Sequence, residues 1–172
     1  RIHMGRSIAH SFDGRTWSRH VRVSSSTDTD SVGGSRFPMS LQRLFSADAI
    51  SLNLKASEKC EILKELVALL KLDPESEATL YKMLRRRETL GSTGIGQGIA
   101  IPHCRSTMVK RVHVAFGRKP QGVDFNAMDR KPVHNFFLIV APAMDDWYLT
   151  VLATIAQFAK RPGIHDRLSR LE

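Results

Sequence analysis

At 172 residues, 42% of them hydrophobic and 25% charged, the chain has the composition of an ordinary globular protein with room for one domain and a tail. Its net charge of +9 invites a nucleic-acid reading, but no helix-turn-helix, zinc-finger or RNA-binding signature accompanies it, so no nucleic-acid partner is expected. The longest apolar run, 136–141, falls far short of the roughly 20 residues a membrane-spanning helix needs, and no direct membrane insertion is expected.

Residues 1–38 stand apart from the rest. They hold six arginines against three aspartates, +3 of the total, and contain the linker-like Ser24-Ser25-Ser26 and Gly33-Gly34-Ser35. They read as a disordered tail, appended or translated from upstream, ahead of a domain over 39–172 whose folded part starts near Ser40. Ile62, Leu63, Leu66, Val67 and Leu70 recur at helical spacing, which predicts a helix capped by Ser57 and running to about Leu72. Asp73-Pro74 supplies a cap and a first-turn proline for a second helix that buries Leu80, Met83 and Leu84 and stops at Gly91. The glycine-rich stretch 91–98 leads into Ile99-Ala100-Ile101, which Pro102 ends or places at a sheet edge.

Alternation predicts a strand over 111–116, and the apolar run over 133–140 predicts a central strand. Asp145 or Asp146 can cap a long helix carrying Leu149, Leu152, Ile155, Ala156 and Ala159, and a last turn of helix follows Pro162-Gly163. The expected class is α/β, a mixed sheet flanked by helices on both faces. Cys60 and Cys104 form no CxxC pair and no secretory leader is recognisable, so a cytoplasmic location is expected.

Residues 88–104 carry the chemistry. A helix ends in Arg87-Glu88, a glycine-rich turn follows, and a strand delivers Pro102-His103. A histidine just past a strand end can bond a carbonyl through one ring nitrogen and aim the other into a cleft. A neutral ring nitrogen so placed is a competent nucleophile toward a phosphoryl group. Arg87 offers a planar fork for phosphoryl oxygens, and backbone N–H groups of a glycine-rich turn can surround an anion. Phosphoryl transfer needs mainly positioning and charge stabilisation, which these parts provide. The loop is not a nucleotide cradle, because no lysine follows its glycines and Ile99 falls on the last position of Gly-x-Gly-x-x-Gly. Spacing alone leaves a plain structural loop open beside a phosphohistidine.

The run 87–103 and the residue after it place Glu88, Ile95, Gly96, Ile99, Ala100, Ile101, Pro102, His103 and Cys104 in one motif. That motif resembles the enzyme IIA type-2 signature of the phosphotransferase system, in its mannitol/fructose/nitrogen-regulatory class, and the resemblance extends from about Leu41 to the chain end. It implies a mixed sheet between helices and a phosphoryl group accepted on Nε2 of His103 from a histidine phosphocarrier protein. It further implies that Arg87 steadies the phosphohistidine and that Ser92, Thr93, Gly94 and Gly96 line the phosphate pocket. No organic cofactor or metal is implied.

The onward partner would be a transporter, a permease subunit or a regulatory target. The segment 91–96 looks most like nitrogen-regulatory members, which favours a regulator acting through its phosphorylation state. The alternatives are phosphate relay to a fructose- or mannitol-type permease and a partner-binding domain independent of phosphorylation. Family members commonly carry a second histidine at the start of the helix after the last core strand. Here that position holds Tyr148, whose hydroxyl can donate a hydrogen bond to phosphate but supplies no imidazole. Relatives also continue with another helix, so 39–172 is expected to lack the family's last one.

The remaining histidines read as structural: His113 and His134 as strand residues, with His113 nearer the cleft, and His165 as a solvated helix residue. A zinc site from His103, Cys104 and His113 is disfavoured, since neighbours on a strand face opposite sides. Cys104 reads as a packing residue.

Overall fold

The structure is a computed structural model that describes residues 44–171. The expectations for a tail over 1–38 and for a domain starting at 39 lie outside those residues. Among the described residues, the chain order is β1 (Phe45–Ser51), α1 (Lys59–Ala68), α2 (Pro74–Thr89), β2 (Gly94–Gly96), β3 (Ile99–Ala100), β4 (His103–Ser106), β5 (His113–Val123), β6 (Val133–Pro142), α3 (Trp147–Ala159) and α4 (Ile164–Ser169). One mixed sheet runs β1-β5-β6-β3-β2, with β4 also paired to β6.

β6 organises the sheet. It lies antiparallel to β5 on one side, while β3 and β4 run parallel to it on the other, end to end. Its side chains alternate between two cores, as the two-residue period of a strand requires. Phe136, Leu138 and Val140 join Ile62, Leu63, Leu66, Leu80 and Leu84 of α1 and α2. Phe137, Ile139 and Ala141 join Val151, Leu152, Ile155, Ile164 and Leu168 of α3 and α4. Both faces are therefore covered, which is why β6 reads as a continuous apolar run rather than an alternating one. The α/β expectation of a mixed sheet with helices on both faces describes this architecture.

Individual boundaries differ for physical reasons. Glu58 occupies the N-cap position of α1 rather than Ser57, no side chain caps it, and the helix ends at Ala68 rather than Leu72. Asp73 caps α2 as anticipated, its carboxylate accepting from the Ser76 amide at 2.9 Å with Pro74 in the first turn. The edge strand β1 escaped the sequence reading because it buries only Ala49 and its pairing with β5 slips between Phe45 and Ile50. β5 runs on past residue 116 to Val123, with its register to β6 broken between Arg118 and Val123. On α3, Leu149 faces solvent at 59% exposure, while Tyr148, Val151 and Thr154 are buried. Of the two aspartates offered as its cap, Asp145 accepts from the Trp147 amide at 2.7 Å.

The stretch 91–98 is a hairpin more than a loop. β2 and β3 pair antiparallel, and Gln97 and Gly98 turn between them with φ of 55° and 71°. Positive φ at both central residues matches the twist of a two-residue hairpin. After Ala100, Ile101 donates to Thr93 O at 3.0 Å and Pro102 O accepts from Ile139 at 2.9 Å. The chain then re-forms a strand, so His103 is the first residue of β4 rather than a residue beyond a strand end. Among the described residues no helix is long and apolar enough to cross a membrane.

Candidate functional site

The last turn of α2 brings Arg87 and Glu88 to the start of β4. Glu88 is buried, and its carboxylate accepts from the Thr93 amide at 2.9 Å and from the Thr93 hydroxyl at 2.7 Å. It also pairs with Lys59 Nζ at 2.9 Å, and that ammonium donates to Phe125 O at 3.0 Å. A buried charge is tolerable only when paired and hydrogen-bonded, and this one is both. The network ties the end of α2 to α1 and to the segment entering the hairpin, fixing where Arg87 can reach.

Arg87 spends one donor on its own helix end, with Nη1 donating to Gly91 O at 2.8 Å. Its Nε lies 3.3 Å from Nε2 of His103 and donates to it. On the far side of the ring, Nδ1 sits 2.7 Å from Ile101 O. A carbonyl can only accept, so Nδ1 carries the hydrogen and Nε2 keeps its lone pair, the tautomer that also accepts from Arg87. Burial pushes the His103 pKa below the usual 6.5, the Arg87 charge adds to this, and the Ile101 carbonyl and Glu88 oppose it. The imidazole is thus neutral near pH 7, with the Nε2 electron pair facing the Arg87 Nε–H.

Tyr148, in the first turn of α3, forms the opposite wall. Its ring centroid is 6.1 Å from that of His103. Burial raises the phenol pKa, with Cys104 adding and Arg105 and Arg87 opposing, so it stays protonated. The Arg105 guanidinium lies over the Tyr148 ring, 4.6 Å from its centroid. Cys104 packs into the α1/α2 core, and burial pushes its thiol pKa up to about 12, which leaves no thiolate for nucleophilic chemistry. The groove bounded by these groups is about 350 Å³ and is lined by Met83, Arg86, Arg87, Leu90, His103, Cys104, Arg105 and Tyr148.

Three of the residues singled out from sequence, His103, Arg87 and Tyr148, meet in this groove. Ser92, Thr93, Gly94 and Gly96 are not among its lining residues. The Ser92 hydroxyl donates to Phe125 O at 2.6 Å, Thr93 serves Glu88, Gly94 packs on Ala127, and Gly96 lies beside Asp129. Their part is to build the hairpin that precedes β4. The Thr93 amide donates to Glu88 at 2.9 Å and the Gly94 amide to the Ser92 hydroxyl at 3.1 Å, so both donors are engaged at the entry to the hairpin.

His113 is half-buried and pairs across β6 at Val140 without lining the groove. His134 and His165 belong to a larger groove of about 480 Å³ at the start of β6. Their rings meet edge to face at 5.4 Å, so His165 is half-buried against a second imidazole. The sequence reading passed over Arg105. Its signal was present, since residues two apart on a strand share a face, but it required His103 to be read as part of that strand.

The family described as phosphoenolpyruvate-dependent sugar phosphotransferase system, EIIA 2, matches residues 43–172, and the chain belongs to it. Among its relatives, a nitrogen regulatory protein of Bradyrhizobium diazoefficiens is 35% identical over 133 residues, covering 76% of this chain and 86% of that protein. The fructose-specific EIIABC component of Bacillus subtilis is 34% identical over 137 residues, or 78% of this chain and only 22% of that larger protein. The crystal structure of nitrogen regulatory protein IIA-Ntr from Neisseria meningitidis superposes with a TM-score of 0.70 at 34% identity, covering 76% of this chain and 90% of that one. IIA mannitol from Escherichia coli shares the fold at a TM-score of 0.62 and 23% identity, covering 74% and 91%.

Proposed function

We propose that the chain is a phospho-accepting regulator in which Nε2 of His103 takes a phosphoryl group from a histidine phosphocarrier protein in the cytoplasm. The observation that carries this reading is the tautomer lock, with Ile101 O holding Nδ1–H while Arg87 Nε–H points at the Nε2 lone pair. In the transfer step, that lone pair attacks phosphorus and the donor's N–P bond breaks, its electrons returning to the donor imidazole. Nδ1–H of His103 keeps its bond to Ile101 O as the ring becomes cationic, and Arg87 turns its Nε–H from the ring to a phosphoryl oxygen.

A regulatory rather than relaying role is favoured by relatives whose whole length this chain nearly spans. Nitrogen regulatory proteins of Bradyrhizobium diazoefficiens and Pseudomonas aeruginosa match over 86% and 85% of their lengths. The arrival of about two negative charges at one surface groove suits a switch read by a target protein. Relay to a permease subunit is the second reading. A fold neighbour at 23% identity, enzyme IIAMTL of Escherichia coli, forms a complex with phosphorylated enzyme IIBMTL, and a groove with exposed Leu90 in its lining suits such docking.

Incubation with enzyme I, a histidine phosphocarrier protein and phosphoenolpyruvate, followed by intact-mass spectrometry at mildly alkaline pH, tests the chemistry. One acid-labile adduct is expected, and His103→Ala should abolish it. Undiminished labelling of that variant sinks the site, and no adduct with several donors would leave a phosphorylation-independent binding role.

A further inference from the structure

The phosphoryl group the groove is to hold carries about two negative charges at neutral pH. Arg87 supplies one positive charge, and one of its nitrogens is already committed to Gly91 O at 2.8 Å. A second cation is needed nearby, or the dianion is left undercompensated against the buried wall. Two further arginines, Arg86 and Arg105, line the groove. Arg86 reaches the groove from α2, the element that already supplies Arg87. Arg105 follows His103 by two places on β4, so both side chains leave the same face of the strand.

Arg105 is also held in place. Its guanidinium lies 4.6 Å from the centroid of the Tyr148 ring, and that ring centroid is 6.1 Å from the imidazole of His103. A cation stacked on an aromatic face keeps its N–H groups free at the edge of its plane, ready for an anion. Tyr148 in turn is fixed by burial and by the Asp145 carboxylate that anchors the start of α3.

We propose that Arg105 is a second phosphate-binding residue, positioned by the Tyr148 ring, so that Arg87 and Arg105 close on the phosphoryl group from opposite sides of His103. The role of Tyr148 is then to present a cation through its ring face. This inference rests on His103 being the phosphoryl acceptor, and its test separates the two ideas.

The test phosphorylates the full chain chemically with phosphoramidate, which transfers its phosphoryl group to the imidazole and releases ammonia, so that no protein donor is involved. The bound phosphate is then titrated by phosphorus NMR. A cation beside the dianion lowers its second pKa. Arg105→Ala should therefore raise that pKa by roughly half to one unit, a three- to tenfold change in proton affinity. Arg105→Lys should recover part of the shift. Arg170→Ala, which removes an exposed charge outside the groove, controls for net charge.

Tyr148→Leu should shift the titration in the parent chain and add little on top of Arg105→Ala, the non-additivity expected of residues that act together. Titration curves of Arg105→Ala and parent that coincide would overturn the proposal while leaving His103 as the acceptor. An additive double variant would show that Tyr148 does not position Arg105. If no phosphorus signal is lost on His103→Ala, the acceptor assignment itself has failed.

Discussion

The two ring nitrogens of His103 are used for different ends, and their environments set how the residue titrates. Because burial dominates, its pKa lies below 6.5 in the folded chain. As pH falls, the unfolded chain therefore takes up this proton first, and the fold loses stability from about the unfolded value downward. An imidazole titration by NMR should give a midpoint below 6.5. A midpoint above it would mean that the Ile101 carbonyl and Glu88 outweigh desolvation. The cysteines divide as cleanly. Cys60 is exposed, whereas Cys104 is buried with its thiol pushed up to about 12. Alkylation of the native chain at pH 8 should modify Cys60 and spare Cys104, as peptide mapping would show. Equal modification would mean that the groove opens deeply enough to expose the β4 core.

Between residues and fold stand the elements, and here the end of α2 matters most. Glu88→Ala would leave the buried Thr93 amide without its acceptor and the partly exposed Lys59 ammonium with only the Phe125 carbonyl, a cost of about 1–3 kcal/mol. Urea denaturation of that variant should show such a loss, with Glu88→Gln retaining more because it preserves shape and one acceptor. A loss under 1 kcal/mol for the alanine variant would mean that water replaces the carboxylate at little cost. The elements were unevenly legible in the sequence. α2 announced itself through Asp73-Pro74, a cap whose geometry is local. β6 did so through its apolar run, and α4 through Pro162-Gly163. β1 was silent because an edge strand with one buried residue carries no pattern. The split of the chain beside β6 into β3 and β4 around Pro102 was hidden as well, since both halves are short and their pairing to β6 is non-local.

At the scale of the molecule, the two faces of the sheet make different demands on the strands between them. Gly117 lies within β5, where an added Cβ would come within 2.7 Å of Leu54 Cδ1 and Leu66 Cδ2. The glycine is what lets α1 and the segment after β1 settle onto the sheet. Gly117→Ala should cost about 1–3 kcal/mol through overpacking, read as a lower denaturation midpoint with an unchanged slope. An unaffected midpoint would show that Leu54 and Leu66 can move aside. Such close approach also explains why the sequence reading ended this strand at residue 116. A glycine signals a break when seen alone, and its purpose appears only once the opposing leucines are in view. For the candidate site, the motif named His103 and Glu88 directly and Arg87 followed from the helix end beside them, while Arg105 needed the register of β4 and the part Glu88 plays needed the burial that surrounds it.

The carbonyl of Ile101 belongs to the backbone two residues before the imidazole it holds, at 2.7 Å. The choice between the two ring nitrogens is thus written into the main chain, where substitution of side chains does not reach it. Under the proposed transfer, a change in the walls of the groove, at Tyr148 or Arg105, would alter how long the phosphoryl group stays and what receives it while leaving Nε2 as the atom presented.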